Sequence, residues 1–249
     1  MIRLKAENPQ HKNAEEYDAA HAEDIRGYRL FSQGERGEAH RLAHESFDAG
    51  RHAAGHRLLA GFLSRRDGQG SDWVHLQFHM ALFELEIGDA RAAGQRFRNE
   101  ILPAAATTLD ALTDAPALLW RLRMSAAGGA DLPWEPLRRT ALAALPRGNA
   151  IFVDVHNLLA LAGAGDAASI ARWSPVLKSA GWMRDFPAFC RALARGRLAE
   201  AGARLRALRP GLAQLDGSQA QLQLFDQLGR WIERGITGEP VSPVYRHAA

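Results

Sequence analysis

Two pairs of histidines stand one helical turn apart in this sequence, His40 with His44 and His75 with His79. Residues four apart lie on the same face of an α-helix, so each pair can present two imidazoles to one ligand. Paired imidazoles can share a zinc or iron ion, and near neutral pH they can also act as general acid and base. These histidines are therefore the first candidates for metal or proton chemistry.

The spacing of His75 and His79 is that of the two zinc-binding histidines of many metalloproteases. Those enzymes carry a glutamate directly after the first histidine, where it serves as the general base. Residue 76 is leucine here. The sequence therefore excludes a metalloprotease of this kind.

The segment Asp72–Asp89 is predicted to form one helix that carries His75 and His79. Ala and Leu are abundant in the chain whereas Val, Ile and Thr are sparse, which favours helices throughout. Glycines punctuate the helical segments at intervals of 31 to 40 residues, a range typical of paired-helix solenoids. These glycines are Gly50, Gly88, Gly128, Gly165, Gly196 and Gly235.

The predicted fold is all-α, a right-handed solenoid of about six antiparallel helix pairs of the tetratricopeptide type. Residues 1–33 are expected to form an N-terminal segment with a capping helix, residues 34–236 the helical-repeat solenoid, and residues 237–249 a C-terminal tail. Within each pair, a small residue lets helix A touch helix B, a glycine opens the turn, and an aromatic fills the seam. Ala81, Gly88 and Phe97 follow this spacing.

In such solenoids the A helices line the concave side. The repeat register places both histidine pairs on A helices, together with Asp154 and His156, and places Asp110 and Asp114 on the helix between them. We therefore expect these side chains to approach one inner surface. Local sequence also suggests a simpler role for Asp114, as the cap of a helix that starts at Ala115.

Several runs of this sequence resemble the tetratricopeptide repeat protein 38 family over about residues 36 to 235. The runs are Ala39-His40-x-x-Ala43-His44, His75-x-x-Phe78-His79-x-Ala81-Leu82-Phe83-x-Leu85-Glu86-x-Gly88, Asp110-x-x-x-Asp114-Ala115-x-Ala117-Leu118-Leu119-Trp120-Arg121-Leu122, Phe152-x-Asp154-x-His156 and Gly217-Ser218-x-Ala220-Gln221-x-x-x-Phe225. The resemblance implies a curved solenoid with polar groups facing inward, and it implies no established reaction.

Two departures from the family pattern bear on a site. Family members are generally longer, so an N-terminal helical portion is expected to be missing here. Near the C-terminus, Gln219 stands where the family has histidine, and Leu222-Gln223 stands where it has Arg-Asp. A family site built on those polar residues would be altered in this chain.

Two functions of different classes follow. The first is a helical-repeat protein that binds a protein, a peptide or a small ligand on its concave face, near the His/Asp cluster. The alternative is an enzyme of uncharacterised type that uses this cluster for metal-assisted or general acid/base chemistry, with a divalent metal as its cofactor. The candidate ligand-binding residues are His40, His44, His75, His79, Asp110, Asp114, Trp120, Arg121, Asp154, His156 and Gln219. The candidate catalytic residues are His79, His156 and Asp154, and the candidate metal ligands are His44, His75, His79 and His156.

Composition argues against other classes. The single cysteine, Cys190, excludes an internal disulfide and a cysteine-rich metal site. No apolar run approaches the roughly 18 residues of a membrane span, and Met1–Glu7 lacks the apolar core of a signal peptide, so we expect a cytoplasmic protein without membrane contact. The formal net charge is +3, and the arginine-rich run at 191–209 lacks the interleaved aromatics of a nucleic-acid-binding surface.

Overall fold

The computed structural model describes residues 26–27, 29–64, 68, 70–125, 131–147, 150–175, 181–215 and 218–238, without the side chains of 109–111 and 147. All regular structure in these ranges is helical, which confirms the prediction of an all-α protein. The chain divides into two compact units, Met1–Gly68 and Gln69–Ala249. None of the described helices combines the length and the apolar character needed to cross a membrane.

The first unit contains two helices, α1 (Arg36–Asp48) and α2 (His52–Leu63), that pack against each other. The turn between them is made by Gly50, whose φ of 68° lies in the left-handed region that side chains disfavour. Leu42 and Phe47 of α1 and Phe62 of α2 are buried in this unit. The first predicted repeat glycine is thereby confirmed.

The second unit contains ten α-helices among its described residues. They are α3 (Ser71–Glu86), α4 (Ala90–Arg96), α5 (Leu102–Ala105), α6 (Leu109–Met124), α7 (Trp134–Ala144), α8 (Ile151–Gly163), α9 (Ala167–Trp173), α10 (Phe186–Ala194), α11 (Leu198–Leu212) and α12 (Gln219–Thr237). A π-helical turn, Phe97–Ile101, joins α4 to α5, and Leu145–Arg147 and Gly181–Arg184 form 3₁₀ turns. The predicted helix at 72–89 is α3.

Three of the predicted repeat turns are present in this unit. Gly88, Gly165 and Gly196 have φ values of 89°, 75° and 66°, and they join α3 to α4, α8 to α9 and α10 to α11. Gly128 lies outside the described residues. The prediction for Gly235 is wrong, because this residue lies inside α12, which ends only at Gly238. A Cβ at position 235 would lie 2.5 Å from Leu198 Cδ1, so this glycine instead lets α12 approach α11 closely.

The first helices of successive pairs lie side by side, since α3 packs on α6, α6 on α8 and α8 on α10. The last helix departs from this stacking, because α12 packs on α11 and also on α6. Its buried residues recur every three or four positions and form one apolar face. In the second unit, a surface that the repeat register assigns to an open groove is thus covered by α12. The continuous solenoid of six pairs stays a prediction.

A buried ion pair joins α3 to α4. Arg96 donates from Nη2 to Glu84 Oε1 at 2.6 Å and from Nε to the same carboxylate at 3.0 and 3.1 Å, and its Nη1 donates to Gln77 Oε1. Glu84 and Gln77 are both buried. A buried charge that loses its partner is strongly destabilising, so this network fixes the rotation of α3 about its axis.

Gly163, at the end of α8, tests how tightly α7 packs on α8. A Cβ at this position would lie 2.3 Å from the ring of Trp134, which is buried and has little room to move. We expect Gly163→Ala to destabilise the protein by roughly 1–3 kcal/mol in chemical denaturation, despite the higher helix propensity of alanine. Gly181→Ala is the control, because a Cβ there meets nothing within 4 Å. Equal stability of the two variants would contradict the described packing.

Candidate functional site

His75 and His79 lie on the same face of α3, as their spacing predicts. Their ring centroids are 4.6 Å apart, and the two Nε2 atoms are separated by 3.1 Å. His79 is only 1% exposed, whereas the side chain of His75 is 36% exposed. The pair therefore has one fixed ring deep in the unit and one ring that reaches solvent.

Asp114 is the partner of His75. The prediction that Asp114 caps a helix is wrong, because α6 begins five residues earlier and Asp114 lies in its second turn. Its buried carboxylate accepts a hydrogen bond from His75 Nδ1 at 2.6 Å. An ionised carboxylate only accepts, so His75 carries a hydrogen on Nδ1. In the neutral ring, Nε2 then presents its lone pair toward His79.

Opposing influences act on the pKa of His75. Partial burial lowers it, but the charge and the hydrogen bond of Asp114 outweigh burial, and the charge of Asp72 adds to them. The net pKa is raised. The His75 ring is thus in an environment that favours positive charge, whether that charge is a proton or a cation.

A chain of hydrogen bonds continues from Asp114 across two more helices. Asp114 Oδ1 accepts from Gln221 Nε2 on α12 at 3.3 Å, and Gln221 Oε1 lies 3.3 Å from His156 Nε2 on α8. His156 Nδ1 is in turn 2.7 Å from the backbone oxygen of Phe152. Side chains of α3, α6, α8 and α12 therefore form one buried polar network.

His156 is the most enclosed titratable member of this network. Burial lowers its pKa, and the hydrogen bonds to Phe152 and Gln221 offset this only in part. The neutral ring is therefore the favoured form in the folded protein. The predicted roles of His156 as a metal ligand and as a catalytic residue have no open approach in this unit, since the ring is 2% exposed and both nitrogens already face oxygens.

Asp154 and His156 do not form a catalytic pair. Residues two apart on a helix point to different sides, and the two side chains leave α8 in different directions. Both are buried. The neighbouring Asn157 is fully buried, and its amide has no hydrogen-bond partner among the described residues.

Two of the predicted ligand-binding residues have structural roles. The Trp120 indole donates to the Leu159 backbone oxygen at 3.0 Å, and its ring packs near those of Trp134 and Trp231. Arg121 is 1% exposed and donates to the backbone oxygens of Ala117 and Ala220. The contact with Ala220 fastens the start of α12 to α6.

Gln219 and Asp110 complete the predicted set. Gln219 is exposed at the first position of α12, and the glutamine that joins the network is Gln221. The backbone of Asp110 belongs to α6, but its side chain lies outside the described residues. Gln221 had a signal in the sequence, because Ser218 caps α12 and thereby places Gln221 on the face that also carries Leu224.

The other histidine pair belongs to the first unit. His40 and His44 are half-buried on α1, with their Nε2 atoms 2.8 Å apart and their ring centroids 4.5 Å apart. Each unit thus carries an i, i+4 pair of the same local geometry. That both pairs serve a common site stays a prediction.

Comparison with known proteins adds no assignment. No protein-family model matches the chain, and no solved structure matches it significantly. The resemblance to the tetratricopeptide repeat protein 38 family therefore stays a prediction from sequence.

His156 also predicts a pH dependence of stability. Its pKa in the folded protein is below the unfolded value of about 6.5, so its contribution is fully present above that pH and is lost as the pH falls through it. We expect the fall in unfolding free energy between pH 7.5 and pH 5.5 to be smaller for His156→Gln than for the wild type, as measured by urea denaturation.

The comparison between the two proteins isolates His156. The raised pKa of His75 acts in the opposite sense, stabilising the fold below the unfolded pKa and losing that effect as the pH rises through the folded one. This contribution is shared by both proteins and cancels in their difference. An identical pH dependence in wild type and variant would show that His156 titrates as it does in the unfolded chain.

Proposed function

We propose that the second unit binds a divalent transition-metal ion through Nε2 of His75 and Nε2 of His79. The observation that carries this proposal is the 3.1 Å separation of the two atoms. Two imidazole nitrogens at 2.0–2.1 Å from one tetrahedral ion are about 3.3 Å apart. Ligation would therefore require only a small movement of the exposed His75 ring.

The hydrogen bond between Asp114 and His75 supports the same function. Histidines that bind metals commonly donate their other ring N–H to a carboxylate, which fixes the tautomer and makes the ligating nitrogen more basic. Asp114 occupies this position at 2.6 Å from His75 Nδ1. The buried carboxylate also supplies negative charge next to the proposed cation.

The donor set indicates the class of ion. Imidazole suits zinc, copper, iron and nickel, whereas magnesium and calcium prefer oxygen ligands. The single thiol, Cys190, is fully buried on α10, and burial raises its pKa well above the ordinary value, which disfavours the thiolate that binds metals. Zn²⁺ is accordingly the appropriate probe.

Two histidines leave further coordination positions of a tetrahedral ion for other ligands. The sequence prediction assigns His40 and His44 to the same site, and it stays a prediction that metal stoichiometry tests. Water or the donor atom of a small ligand would complete the coordination otherwise. Binding of a ligand near the His/Asp cluster is therefore the function we propose first, and metal-assisted chemistry at this ion is the enzymatic alternative.

A hydrogen bond between the two rings would also give a 3.1 Å contact, so metal content decides between these explanations. We expect purified protein equilibrated with Zn²⁺ to retain about one ion per chain after desalting, measured by mass spectrometry of the metal. His79→Ala should lose the ion and the accompanying thermal stabilisation, because it removes one of only two ligands from this unit.

His56→Ala is the control for this experiment, since His56 lies on α2 and belongs to neither pair. It should retain the metal. Wild-type protein that retains no Zn²⁺, and whose melting temperature is unchanged by Zn²⁺ or by chelator, would overturn the proposed function. His44→Ala then tests the predicted contribution of the first unit: unchanged stoichiometry and affinity would show that His75 and His79 act without it.

Asp114→Asn separates the carboxylate from the ligands. The variant keeps the shape of the side chain but loses its charge, and its amide can turn a donor toward His75. We expect the affinity for Zn²⁺ to fall about 10- to 100-fold in calorimetric titration, with both histidines still present. An unchanged affinity would mean that Asp114 contributes to the fold and not to the metal site.

A further inference from the structure

Asp114 divides its two oxygens between two donors on different helices. Oδ2 accepts from His75 Nδ1 at 2.6 Å, and Oδ1 accepts from Gln221 Nε2 at 3.3 Å. A carboxylate held at one oxygen only can turn about its Cβ–Cγ bond, because this torsion is broad and soft. The second donor therefore sets the plane in which Asp114 presents Oδ2 to His75.

Gln221 is itself held in place from two directions. Its oxygen faces His156 Nε2, and His156 is anchored to the backbone oxygen of Phe152 on α8. Its helix is fastened one residue earlier, where Arg121 donates to the Ala220 oxygen. Gln221 is 5% exposed and lies 107 residues from Asp114 in the chain. Its amide is therefore a fixed support, with no freedom to follow Asp114.

His75 depends on this support more than His79 does. The side chain of His75 is 36% exposed, so packing constrains its ring only in part, whereas the His79 ring is enclosed. The orientation of the His75 ring is set mainly by its hydrogen bond to Asp114. A change two contacts away, at Gln221, is transmitted to the direction in which His75 Nε2 points.

We propose that Gln221 is a positioning residue of the metal site, which holds the Asp114 carboxylate so that it fixes the Nδ1–H tautomer and the ring plane of His75. This inference rests on the proposed metal function for its role in binding. The tautomer of His75 in the metal-free protein does not depend on that function. The two proposals can therefore fail separately.

The test is Gln221→Met, which keeps the length and apolar packing of the side chain but removes the amide. The matched control is Gln227→Met, since Gln227 is also a buried glutamine on α12 and the substitution is the same. Both variants are studied as the full chain. Thermal denaturation without metal shows whether each folds, and the loss of stability in the control measures the general cost of replacing a buried glutamine on this helix.

Two measurements follow. In ¹⁵N NMR of metal-free protein, we expect wild type and Gln227→Met to show His75 protonated on Nδ1, and Gln221→Met to show a mixture of tautomers. In calorimetric titration with Zn²⁺, we expect Gln221→Met to bind roughly tenfold more weakly, the lower end of the range for outer-shell partners, and Gln227→Met to bind as the wild type does.

Each outcome decides one proposal. An unchanged His75 tautomer in Gln221→Met overturns the positioning role, and so does a loss of Zn²⁺ affinity of the same size in Gln227→Met. If the wild type binds no Zn²⁺ while the tautomer changes only in Gln221→Met, the positioning of His75 stands and the metal function fails. If Gln221→Met does not fold, Gln221→Leu replaces it in the same two measurements.

Discussion

The buried carboxylate of Asp114 places a constraint on the whole second unit. An ion removed from water is costly unless hydrogen bonds and charge replace its hydration, and these must come from groups with fixed positions. Asp114 obtains them from His75 on α3 and Gln221 on α12, the two ends of the unit's helix order. α6 therefore has to lie between a helix near the start of this unit and its last described helix.

The position of α12 follows from two requirements that agree. Its apolar face, with Leu224, Phe225 and Leu228, needs cover, and the side chains of α6 and α8 leave polar groups that need partners. A helix that only stacked behind α11 would bury the apolar face but leave Asp114 and His156 without Gln221. Packing of α12 on α6 satisfies both, which is why this helix departs from the repeat pattern.

Sequence predicted the features that depend on local chemistry. The helical class, the helix carrying His75 and His79, and the turns at Gly88, Gly165 and Gly196 all follow from periodicity or from a backbone conformation that glycine favours. Asp114 was mistaken for a cap, because an aspartate before an alanine and a proline looks the same in a helix interior. Its actual partner is 107 residues away, and no local pattern encodes a contact of that range.

The aromatic contact between α6 and α12 gives the protein a built-in optical gauge. Trp231 of α12 has its ring centroid 6.1 Å from that of Trp120, and the guanidinium of Arg123 lies 5.0 Å from the same Trp120 ring. Indole emission responds to stacking partners and to nearby positive charge. Any event that lifts α12 from α6 would thus alter the intrinsic fluorescence, so the docking of this helix can be followed without a label.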